Sequence, residues 1–162
     1  MFTPVRAITA AAVAALATAV AVPALTTAQT SGTRDITVRE RVQGVKMIDT
    51  SPRSRHERFS RGDRVVTEQA LFSESGNRVG TLFTDCVGVG RTAQLFKATL
   101  LCSSTYRFRD GDVMTAAAVE LAPGARGAIV GGTGAYKGVR GEGEAAPPVK
   151  GYDSVDVLHL EG

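Results

Sequence analysis

The sequence predicts an all-β fold: one closed antiparallel barrel of about eight short strands. Three observations lead there. Apolar residues alternate with polar ones at a period of two in several segments. Glycine, proline and Asn/Asp turn signals recur at short intervals between those segments. Beyond the first thirty or so positions no stretch makes a convincing helix. Closure is the economical arrangement because it removes unpaired strand edges. A length of 162 residues fits one domain.

The N-terminal segment reads as a leader. Met1 to Arg6 carries one positive charge, Ala7 to Val22 is apolar and alanine-rich, and small residues follow Pro23 up to Ala28. That is the layout of a secretory signal peptide over residues 1–28. The apolar run is shorter than the ~20 residues a membrane span needs, with an uncleaved anchor as the alternative. Residues 29–34 then serve as a short linker and 35–162 as the barrel. No later segment would hold the mature chain in a membrane, so it is expected to be secreted.

The chain carries 19 Lys and Arg against 16 Asp and Glu, a net charge of +3. That balance does not suit a nucleic-acid binder.

The strands follow in order. Asp35 to Val42 alternates, with Ile36, Val38, Glu40 and Val42 on one face and Thr37, Arg39 and Arg41 on the other. Val45 to Ile48 continues it after a break at Gly44. Thr50 to Gly62 is a basic loop containing Arg53, Arg55, His56 and Arg58. Its plain reading is a solvated loop, with Phe59 tucked onto the barrel; its functional reading is a patch for an anionic envelope polymer. Asp63 to Glu74 and Arg78 to Val89 are strands around a Ser75-Gly76-Asn77 turn. Ala93 to Phe108 is a long strand in which Phe96, Ala98, Leu100, Cys102, Tyr106 and Phe108 share a face. Asp110-Gly111 suits a type I′ hairpin turn. Asp112 to Leu121 returns as a strand, although its alanines also suit a helix. After Pro123-Gly124, Arg126 to Val130 leads into a glycine-rich bend. Val139 to Ala146 leaves it, Pro147-Pro148 forms a loop, and Tyr152 to Leu160 closes the fold.

Cys86 and Cys102 lie on neighbouring strands of an exported chain, which favours a disulfide over two free thiols. Closing a loop of about 15 residues contributes ~3 kcal/mol if it is unstrained. A metal site is not expected, since neither His56 nor His159 has ligand spacing to the cysteines.

The bend reads Gly131-Gly132-Thr133-Gly134-Ala135-Tyr136-Lys137-Gly138-Val139-Arg140-Gly141. A dinucleotide-binding loop would need a long helix after it; Gly138, Gly141, Gly143 and Pro147-Pro148 forbid one. The segment resembles the signature of the dirigent and allene-oxide-cyclase-like β-barrel proteins: a Gly-Gly-Thr-Gly turn, an aromatic, then Ala-Arg-Gly. Val139 stands where alanine is commoner. The resemblance covers roughly Asp85 to the end. It implies a calycin-like barrel whose hollow binds a small hydrophobic molecule and directs its cyclisation or coupling, an isomerase-like or stereodirecting role without a cofactor. Homo-oligomers are frequent among plant members. The alternative is a non-enzymatic exported barrel that binds a lipid, small ligand or protein partner.

Neither a nucleophile–base pair nor a phosphate cradle is visible. Candidates are polar residues embedded in strands: Glu40, Glu68, Asp85, Tyr106, Arg140 and Asp156. Arg140 matches the motif's arginine, and its guanidinium would hold an oxygen on which negative charge develops; the plain reading is a salt bridge to Glu142. Asp85 would serve as a general acid or base if buried. Tyr106 and Tyr136 are expected to contact a ligand. Glu40 and Glu68 are expected to face solvent. These assignments depend on register, since a slip of one residue reverses every face.

Overall fold

The computed structural model describes residues 32–50, 59–90, 95–120 and 125–162. The expected leader, most of the basic loop, Gln94 and the Pro123-Gly124 turn lie outside those residues.

Eight strands pair in sequence order and close into a barrel. They are β1 (Thr33–Ile48), β2 (Arg64–Phe72), β3 (Arg78–Gly88), β4 (Leu100–Phe108), β5 (Asp112–Val119), β6 (Arg126–Gly132), β7 (Arg140–Ala146) and β8 (Ser154–Glu161). Every neighbouring pair is antiparallel, and β1 closes the ring against β8. No helix among the described residues is long and apolar enough to cross a membrane.

β1 performs the closure because it is long. Thr33 to Glu40 pairs with β8, and Arg39 to Ile48 pairs with β2. The break expected at Gly44 is a bulge between Val42 and Gly44 rather than a gap; the extra residue bends the strand from one partner to the other. Val42 at the bulge, and Val45 and Met47 past it, are exposed.

Three expectations about connections need correction. The long strand from Ala93 is interrupted by a 3₁₀ turn at Leu95–Lys97, and β4 starts only at Leu100. Asp110-Gly111 does not form a type I′ turn, which needs positive φ at both central residues; of the two only Gly111 has one, at 153°. The final strand begins at Ser154; Tyr152 and Asp153 connect it to the turn at Lys150 and Gly151. The alanine-rich segment is strand β5, as its position between hairpins predicts.

Period-two alternation turns one face of each strand inward, and the buried side chains form two clusters. At one end a plug is built from Val38, Leu71, Leu82, Val113, Leu158 and Leu160, all nearly inaccessible. Tyr136 completes it from a 3₁₀ turn, Gly134–Tyr136, inside the glycine motif. The motif is therefore a backbone device. A Cβ on Gly134 (φ 57°) would stand 2.2 Å from the Asp110 carbonyl oxygen, and one on Gly141 (φ 133°) 1.9 Å from that of His159. Only glycine permits this approach.

At the other end the strands leave a hollow. Phe59 is buried beside Val65, Cys86, Ala98 and Leu100, so the basic loop is anchored as the sequence suggests. Asp63 fixes its base: the carboxylate accepts from the Thr50 N–H at 3.1 Å, the Ser60 N–H at 2.8 Å and the Ser60 hydroxyl at 3.0 Å.

Candidate functional site: an acid cluster in the barrel lumen

The hollow has a volume of about 280 Å³. Its wall is mostly apolar, with Val65, Leu82, Leu100, Ala117 and Val119 pointing inward. The Cys86–Cys102 disulfide joins directly opposed residues of β3 and β4 and also faces the hollow. Pairing follows from register: both cysteines occupy inward positions on adjacent strands.

Polar groups converge on one side of this wall. Glu40, only 2% exposed, comes from β1. Its Oε2 accepts from Gln69 Nε2 of β2 at 2.7 Å and from the Ser154 hydroxyl of β8. Gln69 Oε1 in turn accepts from the Thr67 hydroxyl at 3.1 Å. The phenol of Tyr106, reaching across from β4, donates to Asp156 Oδ2 of β8. Glu40 Oε1 is buried and receives no N–H or hydroxyl donor; the Asp156 carboxyl is a hydrogen-bonding neighbour of Glu40 and opposes a second negative charge.

The electrostatics follow from that placement. Burial disfavours the Glu40 anion, and the neighbouring Asp156 adds to the effect; together they push its pKa up to about 9 despite the Ser154 hydrogen bond. Glu40 is thus a neutral acid at pH 7. Tyr106 is held well above its ordinary range, first by burial and then by the charges of Asp156 and Glu40, so it remains a phenol. A protonated acid, a phenol and a second carboxyl beside one apolar hollow give a donor and an acceptor of protons within one site. Among the described residues no three His, Cys, Asp or Glu side chains are grouped to hold a metal ion.

The structure places the sequence candidates unevenly. Tyr106 and Asp156 lie in the cluster. Glu40, expected in solvent, is at its centre. The correction has a simple cause: Glu40 shares the inward face with Ile36 and Val38, and closure of β1 on β8 buries that face. Arg140 opens β7 on the outside, where its Nη1 donates to the adjacent Val139 carbonyl at 2.8 Å. The Glu142 bridge expected for it is made by Arg126 instead, at 3.2 Å. Asp85 alternates with inward Cys86 and so points outward, in a two-pronged pair with Arg64; the two side chains are 42% and 45% exposed. Neither Arg140 nor Asp85 reaches the lumen wall. Tyr136 sits in the plug, below the hollow. Glu68 is exposed. Gln69 and Ser154 were not among the candidates, yet each keeps inward parity, with Leu71 and with Leu158.

Comparison with known proteins agrees with this architecture. Residues 45–157, more than half of the chain, match the family of allene oxide cyclase barrel like domains. The chain belongs to this family. No curated protein matches it at a significant level. Among solved structures, a pyocyanin demethylase superposes with a TM-score of 0.65 at 21% identity, covering 78% of this chain and 99% of its own. A pterocarpan synthase dirigent protein gives 0.57 at 16% identity, covering 80% and 87%. The Diels-Alderase AbmU from Streptomyces koyangensis gives 0.52 at 17%, covering 83% and 69%. At these identities the likeness is one of fold.

Proposed function

We propose that this barrel takes up a small, mainly apolar molecule bearing a carbonyl-type oxygen and directs its cyclisation or coupling within the lumen. The observation that carries the reading is Glu40: a carboxyl held neutral by burial and by the neighbouring Asp156 carboxyl, in the wall of an apolar hollow. Protonated there, it donates to the ligand oxygen and draws electron density from a conjugated system. The tight wall keeps the reacting ends close and excludes water. Asp156 supplies an acceptor on the same side, and the Tyr106 phenol holds that carboxyl in place. The membership of dirigent proteins and cyclases in the same barrel superfamily supports the reading at the level of reaction type.

The proposal also has the protein exported. Supporting this are the leader-like residues 1–28 and the Cys86–Cys102 pair, which suits an oxidising compartment. N-terminal sequencing of the protein from the extracellular fraction tests it; an intact N-terminus found only inside cells would refute export.

The functional test uses conjugated dienones able to close a ring, with products resolved by chiral chromatography. The wild-type protein is expected to bias the product toward one stereoisomer, and Glu40→Gln to lose that bias. A racemic product from the wild type, with a bound molecule recovered unchanged, would leave a binding protein instead.

A further inference from the structure

At the closed end of the barrel, below the plug, the surface is concave over a volume of about 500 Å³. Its floor is apolar and aromatic. Ile36 and Val79 pack against the plug, and the rings of Phe108 and Tyr136 meet at 5.4 Å between centroids. Around the rim stand Arg34, Arg78 and Arg109. Arg34 lies over the Tyr136 ring at 5.3 Å and reaches its hydroxyl at 3.4 Å. Among the described residues none of these three guanidiniums is paired with a carboxylate. Asp110 is the one acid on the same rim, so the dish keeps a surplus of two positive charges.

Elsewhere on this barrel some exposed arginines hold acids, while Arg41 and Arg140 donate to backbone carbonyls. Arg64 holds Asp85, and Arg126 holds both Glu142 and Glu144. Three unpaired cations around one aromatic floor have a different chemistry. A planar guanidinium matches a carboxylate in a two-pronged fashion. Phe108, partly exposed and backed by Tyr136, offers a surface on which a flat ring packs.

We propose that this dish is a second binding site, separate from the lumen, for a small aryl carboxylate. The ring lies on Phe108 beside Ile36 and Val79, and the carboxylate lies among Arg34, Arg78 and Arg109. Val38 and Tyr136 belong both to the dish and to the plug, so an occupant would rest on the underside of the lumen floor. The site stands whether or not the lumen directs a cyclisation.

Benzoate is the probe, followed by NMR titration of the full chain at low salt, with benzyl alcohol and acetate as controls that lack the charge or the ring. Benzoate is expected to bind about tenfold or more tightly than either control, and to weaken as salt rises. Its shifts should fall on Ile36, Val79, Phe108 and Tyr136 and spare lumen residues such as Ala117. The paired change Arg34→Gln and Arg109→Gln should weaken benzoate by about tenfold, whereas Glu40→Gln should leave it unchanged. Should the double variant melt early, Arg78→Gln alone serves as the second variant, with about a threefold loss expected. Equal binding of benzyl alcohol, shifts confined to the lumen, or arginine variants that bind like the wild type would each overturn the proposal.

Discussion

Asp63 and Glu40 are each only 2% exposed, yet their surroundings are opposite. Asp63 stands at the root of the basic loop, where two backbone N–H groups and a hydroxyl donate to it. Burial alone would raise its pKa, but these hydrogen bonds outweigh burial and leave it below the usual carboxylate value. Glu40 receives two side-chain donors on one oxygen, none on the other, and faces a second carboxyl. The first acid is satisfied as an anion and fixes structure. The second can be satisfied only as a neutral acid, with the Asp156 carboxyl as the acceptor for its proton. Burial of a carboxyl therefore says little about its role; the inventory of donors around it decides.

The largest expected effect tests the structural acid. Asp63→Ala strands donors that the anion now satisfies, and should lower stability by about 2–4 kcal/mol near pH 7, as read by urea unfolding. Because the folded pKa is depressed, this contribution is present above the unfolded carboxylate value. The part linked to ionisation is lost as pH falls through the lower folded value, so the gap between wild type and variant should narrow in acid.

Glu40→Gln should act with the opposite sign. Glu40 has a raised folded pKa, so its contribution is fully present below the unfolded value near 4.5 and is lost as pH climbs toward about 9. Glutamine keeps an acceptor for Gln69 and Ser154 and turns a donor toward Asp156. The variant should be more stable than wild type by about 1–3 kcal/mol at pH 8, and the gain should vanish near pH 4. A gain that does not vary with pH would mean that Glu40 is ionised in the folded protein.

A smaller effect tests the hollow itself. Ala117→Phe fills it, and should weaken uptake of the neutral ketone dye prodan by about tenfold, roughly 1.4 kcal/mol, as followed by its fluorescence shift. The smallest effects belong to the outer face: Asp85→Asn and Arg140→Ala should each change stability by less than about 0.5 kcal/mol and leave dye uptake intact. If either abolished uptake, the cluster around Glu40 would not be the site.

Much of the architecture was legible. Alternation in Asp35–Val42, turn signals and the glycine motif indicate a barrel, and β5 reads as a strand despite its alanines. The site was half legible. Ile36, Val38 and Glu40 share a parity visible in the sequence, and so do Asp156, Leu158 and Leu160. Charge argues for solvent at Glu40, and that argument competes with parity until closure is known. At Asp85 the burial argument fails because Cys86, its neighbour, takes the inward position.

By itself the sequence determined where strands form and which residues share a face, since both depend on local periodicity and turn chemistry. It also determined where backbones touch, because the glycines at 134 and 141 leave no room for a side chain. Only the tertiary structure decided which face is sealed from water and which residues meet. Glu40 and Asp156 approach because the first strand pairs with the last, and the pKa of Glu40 arises from that enclosure. Desolvation belongs to the assembled wall and is carried by no single stretch of chain.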